Sequence, residues 1–187
     1  IDQLEVEGRL VTDGGFSLGQ GNLQSNSINL KQLLNDLQKT FPLIQVPKMA
    51  FEEALTAVSF NSTFSFDTKG ISNITSQLSI DNQLLFVDSE INHSIQNLRL
   101  SVSGDGFDMA NYLATESAAA DQNNALFAPL AVPFALWLGQ SQMEVSLGAL
   151  TFDDFAVKNI YINLFGNQKV LQLSSFNADI FEGQINA

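Results

Sequence analysis

The chain has 187 residues, a formal net charge of −12, no cysteine, and 15 phenylalanines beside a single tryptophan. The length fits one domain, and the missing cysteine excludes disulfides, thiolate catalysis and zinc–cysteine sites. The acidic balance excludes the clustered Lys and Arg on which nucleic-acid binding depends, and it opposes adsorption of the domain to anionic lipid.

Charged residues make up only 15% of the chain, below the usual share of about 25%. The remainder, rich in Phe, Leu, Ile, Ser, Asn and Gln, predicts strands with an apolar face and an opposite face that is polar but mostly uncharged. Leu4, Val6, Gly8 and Leu10 alternate with Glu5, Glu7 and Arg9, the period of a half-buried strand. A turn at Asp13-Gly14-Gly15 leads into Phe16-Ser17-Leu18. Residues 29–41 change period: Leu30, Leu33, Leu34, Leu37 and Phe41 form one face against Lys31, Gln32, Asn35, Asp36, Gln38 and Lys39. That spacing predicts an amphipathic helix capped by Asn29.

The clearest strand follows. Val58, Phe60, Ser62, Phe64 and Phe66 alternate with Ser59, Asn61, Thr63 and Ser65. Turns are predicted at Asp67–Gly70 and Asp81-Asn82, with Ile74, Leu78 and Ile80 between them and Leu84 to Val87 after. Leu98, Leu100 and Val102 form the next strand. A second helix start is then predicted at Asp108, where Met109, Tyr112 and Leu113 repeat the spacing of Leu30, Leu33 and Leu34 behind Asn29. Residues 114–124 read as a polar loop. Residues 125–138 are nearly all apolar and include Phe127, Leu130, Phe134 and Trp137; the stretch is too short to span a bilayer. It reads as a helix on the sheet, with a membrane-dipping segment or a mobile lid over an apolar groove as the functional alternative. Met143, Val145 and Leu147 resume the strands, followed by Phe155 to Leu164, a turn at Gly166-Asn167, and strands to the end of the chain.

The fold expected is mainly β: a curved antiparallel meander of two tandem units, about 1–80 and 81–187, in one domain. Helix 29–41 and segment 125–138 pack on it or cap it. Asn29, Leu30, Leu33 and Leu34 in the first unit, and Asp108, Met109, Tyr112 and Leu113 in the second, are its structural anchors. Because the sequence begins and ends in strand-like residues, the chain reads as a piece of a longer one.

Catalytic chemistry finds no foothold in the pattern. The one histidine, His93, sits in a turn-like Asn92-His93-Ser94 with no nucleophile-elbow motif. Gly104–Asp108 lacks the carboxylates of a calcium loop. The Glu52-Glu53 and Asp153-Asp154 neighbours point to opposite sides of a strand and form no acid/base dyad. Asn61, Asn73 and Asn92 match the glycosylation acceptor pattern, which a chain rich in Asn and Ser produces by chance. No metal, cofactor or catalytic residue is expected.

The second unit runs Val102-Ser103-Gly104-Asp105-Gly106-Phe107-Asp108-Met109-Ala110-Asn111-Tyr112-Leu113, then a low-complexity loop and a proline-bearing apolar stretch. It closes through Glu144 to Phe152, Phe155 to Ile160 and Leu171 to Ala187. This pattern resembles the C-terminal periplasmic region of the AsmA family of Gram-negative bacteria, closely over about residues 95–187 and loosely before them. Glu182 stands where the family has the first glycine of its final turn. The resemblance implies a non-enzymatic periplasmic protein, anchored in the inner membrane by a segment outside this sequence. Such a protein would support outer-membrane biogenesis and phospholipid movement, with acyl chains or envelope proteins as partners. An apolar groove of Phe60, Phe64 and Phe66, covered by Phe127, Leu130, Phe134 and Trp137, would then be its binding surface; the same face reads equally as an ordinary core covered by helix 29–41 and segment 125–138. The alternatives are an interaction scaffold for outer-membrane protein assembly and an adhesin-type binding domain.

Overall fold

The computed structural model describes residues 4–13, 16–40, 53–110, 112, 140–152, 155–167, 170–181 and 183–186. These form one sheet and one helix. The strands are β1 (Leu4–Asp13), β2 (Phe16–Ile28), β3 (Val58–Phe66), β4 (Ile71–Ile80), β5 (Gln83–Asn92), β6 (Asn97–Gly104), β7 (Phe107–Asp108), β8 (Gln140–Phe152), β9 (Phe155–Asn167), β10 (Val170–Ile180) and β11 (Gly183–Asn186). The helix α1 spans Leu30–Thr40. Strand order is β1-β2-β3-β4-β5-β6-β8-β9-β10-β11, with the short β7 paired beside β8. The architecture is the expected mainly-β, open, curved meander with one helix.

Local chemistry sets each reversal. Between β4 and β5, Asp81 and Asn82 both take left-handed dihedrals (φ 48° and 69°), and Ile80 lies opposite Gln83. This is the two-residue turn whose twist matches that of the strands, and Asp and Asn tolerate it. Between β3 and β4, the Asp67 carboxylate accepts from the backbone N–H groups of Lys69 (2.9 Å) and Ile71 (2.8 Å), and Gly70 supplies the positive φ of 78°. Asn29 caps α1: its Oδ1 accepts from the Gln32 N–H at 2.8 Å, as an N-cap side chain does.

The sheet leaves a pure meander once. β6 and β8 run parallel, Asn97 opposite Gln140 through Gly104 opposite Leu147. A parallel pair requires a crossover of a dozen or more residues, and the connection from Asp108 to Gln140 supplies it. By contrast, β2 and β3, which flank α1, pair antiparallel. The two insertions therefore return the chain in opposite senses.

Two expectations are corrected. Gly166 and Asn167 are not a turn; they belong to β9, opposite Leu171 and Val170, and the reversal falls beyond them. Register decides this: Gly166 also lies opposite Ser141, and slipping it into a turn would move Leu164 off its face. Asp108 does not open a helix within the described residues. It ends β7, and its Oδ1 accepts from the Ala110 N–H at 3.0 Å to shape a turn, closed by Tyr112 N–H to Met109 O at 3.0 Å. The Asp108 N–H goes to Gln83 Oε1 and the Met109 N–H to Thr151 O, which ties this turn to β5 and β8. Segments 114–124 and 125–138, and Phe41, lie outside the described residues.

Burial is shallow. Among the described apolar residues only Ala54, Val58, Tyr112, Ile160 and Ala178 are buried. Leu30, Leu33 and Leu34 of α1 are half-buried and Leu37 is exposed. The helix start is tied down by the Lys31 N–H, which donates to Leu55 O at 3.2 Å.

Candidate functional site

Strand register fixes which side chains share a face. One row crosses seven strands: Phe64 of β3 faces Ile74 of β4, then come Ser89 of β5, Leu100 of β6, Met143 of β8, Leu164 of β9 and Leu173 of β10. The adjacent row runs Ser62, Ser76, Val87, Val102, Val145, Ile162 and Phe176. With about 4.8 Å between strands, each row is about 29 Å long. From Phe64 to Leu164 the first row is half-buried, and Leu173 at its end is 51% exposed. Among the described residues this face of the sheet thus carries two largely apolar rows, of which the first is half-buried along most of its length.

Phe64 ends this row on a platform of backbone. A Cβ on Gly21 would stand 2.5 Å from the Phe64 ring tip and 2.8 Å from Gly8 Cα, and would strike the Glu7 carbonyl. The two glycines let a large ring lie over β1 and β2, as aromatic rings do over strand glycines. Phe66 packs beside it, ring centroids 5.4 Å apart.

The opposite face is mostly polar, with Leu84, Phe86 and Phe165 exposed on it, and is dimpled. A depression of about 500 Å³ is lined by Glu7, Arg9, Gln20, Asn22, Thr63 and Thr75, among others. A second of about 370 Å³ holds Asp88, Glu90, Arg99 and Glu144. A third of about 310 Å³ is lined largely by amides and hydroxyls, including Gln24, Asn61 and Gln77. Arg99 and Glu90 approach only to 3.7 Å and both are exposed, so the pair contributes little.

The densest polar cluster lies where the turn before β3, the β4–β5 hairpin and the turn after β7 meet. The Asp81 carboxylate accepts from Leu55 N–H at 2.7 Å, Ala57 N–H at 3.0 Å and Tyr112 Oη–H at 2.8 Å. Gln83 Nε2 donates to Tyr112 Oη at 3.0 Å. Phe107 stacks on the Tyr112 ring at 5.3 Å. Burial pushes the Asp81 carboxyl upward, but the donors from Leu55, Ala57, Tyr112 and Thr56 outweigh it and hold the group below its ordinary 3.8. Burial, and then the Asp81 charge, push the Tyr112 phenol up from 10.0 to about 12. Three donors from separate connections converge on this carboxylate, so the cluster staples the fold.

His93 lies in the turn after β5, where the sequence placed it, and its Nε2 pairs with Ser72 Oγ of β4 at 2.8 Å. His93 is exposed, but Ser72 is 6% exposed, which closes the hydroxyl to an attacking approach. Among the described residues no group of three His, Cys, Asp or Glu is arranged to hold a metal. None of the helices among them is long and apolar enough to cross a membrane.

Of the residues singled out in the sequence, Phe60, Phe64 and Phe66 share one face of β3. Asn29, Leu30, Leu33 and Leu34 form the start of α1. Asp108, Met109 and Tyr112 form the turn after β7, and Tyr112 is buried. Leu113, Phe127, Leu130, Phe134 and Trp137 lie outside the described residues. The roles of Asp81 and Gln83 were missed. Asp81 was legible as a turn residue, but its three donors come from residues distant along the chain. Comparison with protein-family models, curated proteins and solved structures finds no match to this chain.

Proposed function

We propose that this chain is a non-enzymatic lipid-handling segment of an AsmA-like envelope protein. In this reading it lies in the periplasm, belongs to a protein anchored in the inner membrane, and receives phospholipid acyl chains on its apolar face. One observation carries the reading: the half-exposed row from Phe64 to Leu173, without a charged residue in it. A hydrocarbon bilayer core of about 30 Å corresponds to two acyl chains end to end, so a row of about 29 Å accepts one chain with room to spare. Burial of such a chain against aliphatic side chains gains about 25 cal/mol for each Å² removed from water. The uncharged character of the row matters, because an acyl chain gives a buried charge no partner.

The test is uptake of a fluorescent phosphatidylethanolamine from detergent-free vesicles, with native mass spectrometry of the product. Lipid should load on the unaltered protein, and Leu100→Asp or Met143→Asp should reduce loading at least tenfold. Ser101→Asp, on the polar face, should not. Absence of lipid from the folded unaltered protein, or equal loading by Leu100→Asp, would overturn the reading.

A further inference from the structure

One row on the polar face is set apart from its neighbours. Register aligns Gln24 of β2, Asn61 of β3, Gln77 of β4 and Phe86 of β5, then Ser103 of β6, Ser146 of β8 and Tyr161 of β9. From Gln24 to Tyr161 the row holds no charge, in a chain whose net charge is −12. It ends at Glu5 of β1, whose carboxylate accepts from Gln24 Nε2. The row beside it, from Asn22 to Asn163, carries Asp88 and Glu144. The depression of about 310 Å³ lies over the amide end of the uncharged row, and none of the residues that line it is charged. Gln24, Asn61, Gln77 and Phe86 are all exposed. Phe86 leaves 45% of its surface open although its strand lies in the interior of the sheet. Its neighbour on β6 is Ser103, too short to cover the ring. Among the described residues no side-chain hydrogen bond engages the amide of Asn61 or Gln77.

We infer that this row binds a neutral, extended glycan, with Phe86 as its stacking platform. Side-chain amides and hydroxyls both donate and accept hydrogen bonds, as sugar hydroxyls do, so a row of them meets a polyol group for group. A pyranose ring also has an apolar face of C–H groups. An exposed aromatic ring at the end of an amide row covers that face while the amides take the hydroxyls. Tyr161 places a second ring three strands further on, about 14 Å away, with only Ser103 and Ser146 between. Neighbouring strands lie about 4.8 Å apart, close to the rise of one residue in a β-linked pyranose chain, so successive sugars meet successive strands. Charge selects the ligand further. With no cation in the row, a phosphate, sulfate or uronate polymer finds no partner there, and Asp88 and Glu144 beside it repel one. The row lies on the face opposite Phe64 and Leu100, so this site is separate from the apolar row.

Isothermal titration with cellohexaose tests this. The folded chain should bind it. Phe86→Ala should weaken binding at least tenfold with circular dichroism unchanged, and so should Asn61→Ala combined with Gln77→Ala. Asp88→Asn, in the adjacent row, should leave the affinity within twofold. A polyuronate of the same length should bind at least tenfold less tightly than cellohexaose. Absence of cellohexaose binding by the folded, unaltered chain would overturn the proposal. So would equal affinity in Phe86→Ala and in the amide double variant, or tighter binding of the polyuronate.

Discussion

The phenol of Tyr112 donates to the carboxylate of Asp81 at 2.8 Å across 31 residues of sequence. Asp81 sits in a left-handed hairpin turn that presents its side chain to the turn before β3, and Tyr112 brings in the chain after β7. The pair therefore ties three separate connections of the sheet to one point.

Tyr112→Phe keeps the ring on Phe107 and deletes the donor. A hydrogen bond to a charged acceptor is worth about 1.5–3 kcal/mol, and Asp81 is half-buried. The variant should lose that much in urea-induced unfolding with an unchanged slope. Unaltered stability would show that water replaces the phenol.

The same pair sets a pH dependence. Asp81 titrates below its ordinary 3.8 in the folded chain, so its contribution is present above the unfolded value and is lost as pH falls through the folded one. Tyr112 titrates near 12 rather than 10.0; its contribution is whole below 10.0 and is lost as pH rises toward 12. Unfolding midpoints followed across both limbs should fall less steeply in Asp81→Asn at the acid end. Tyr112→Phe should remove its share of the loss at the alkaline end. Identical slopes in variant and parent would contradict the network.

Gly21→Ala tests the platform under Phe64. The added methyl meets the Phe64 ring and the Glu7 carbonyl, and overpacking of this kind costs about 1–3 kcal/mol. Thermal unfolding should register it as a lowered midpoint. Adding Phe64→Leu should recover part of the loss, because the ring is one of the three obstacles and the other two are backbone; no recovery would place the whole strain in the backbone.

Phe181 holds a φ of 56° at the β10–β11 reversal with 87% of its surface exposed. A left-handed dihedral costs an L-residue about 1–2 kcal/mol, and the ring's compensation is its contact with Phe155 at 5.9 Å. Phe181→Gly should therefore raise the unfolding free energy by up to about 1 kcal/mol. A fall in calorimetric stability would mean that the aromatic contact outweighs the strain.

Much of the sheet was legible because its signals are local. Alternation of Phe and Leu with Ser and Asn along β3 specifies a two-sided strand wherever the strand docks. Asn29 with Leu30, Leu33 and Leu34 specifies a capped helix. Asp81-Asn82 specifies a turn because few residue pairs accept two left-handed dihedrals. Asp108 was misread for a physical reason: a short polar residue before an apolar i, i+3, i+4 set is equally suited to a helix cap and to a capped turn. Only the pairing of Phe107 and Asp108 with Leu150 and Thr151 shows that Asp108 ends a strand. The reversal after Asn167 was misplaced because Gly166 looks like punctuation until its strand partners are known.

The sequence alone determined the strand periods, the helix, the polar and apolar faces and the acidic, cysteine-free chemistry, since each depends on neighbours within a few residues. Only the tertiary structure decided that β6 and β8 run parallel. It likewise decided that Phe64 and Leu173 end one row and that Asp81 meets Tyr112. Those facts depend on which strands become neighbours, and strand neighbours are chosen by the summed register of the whole sheet rather than by any one segment.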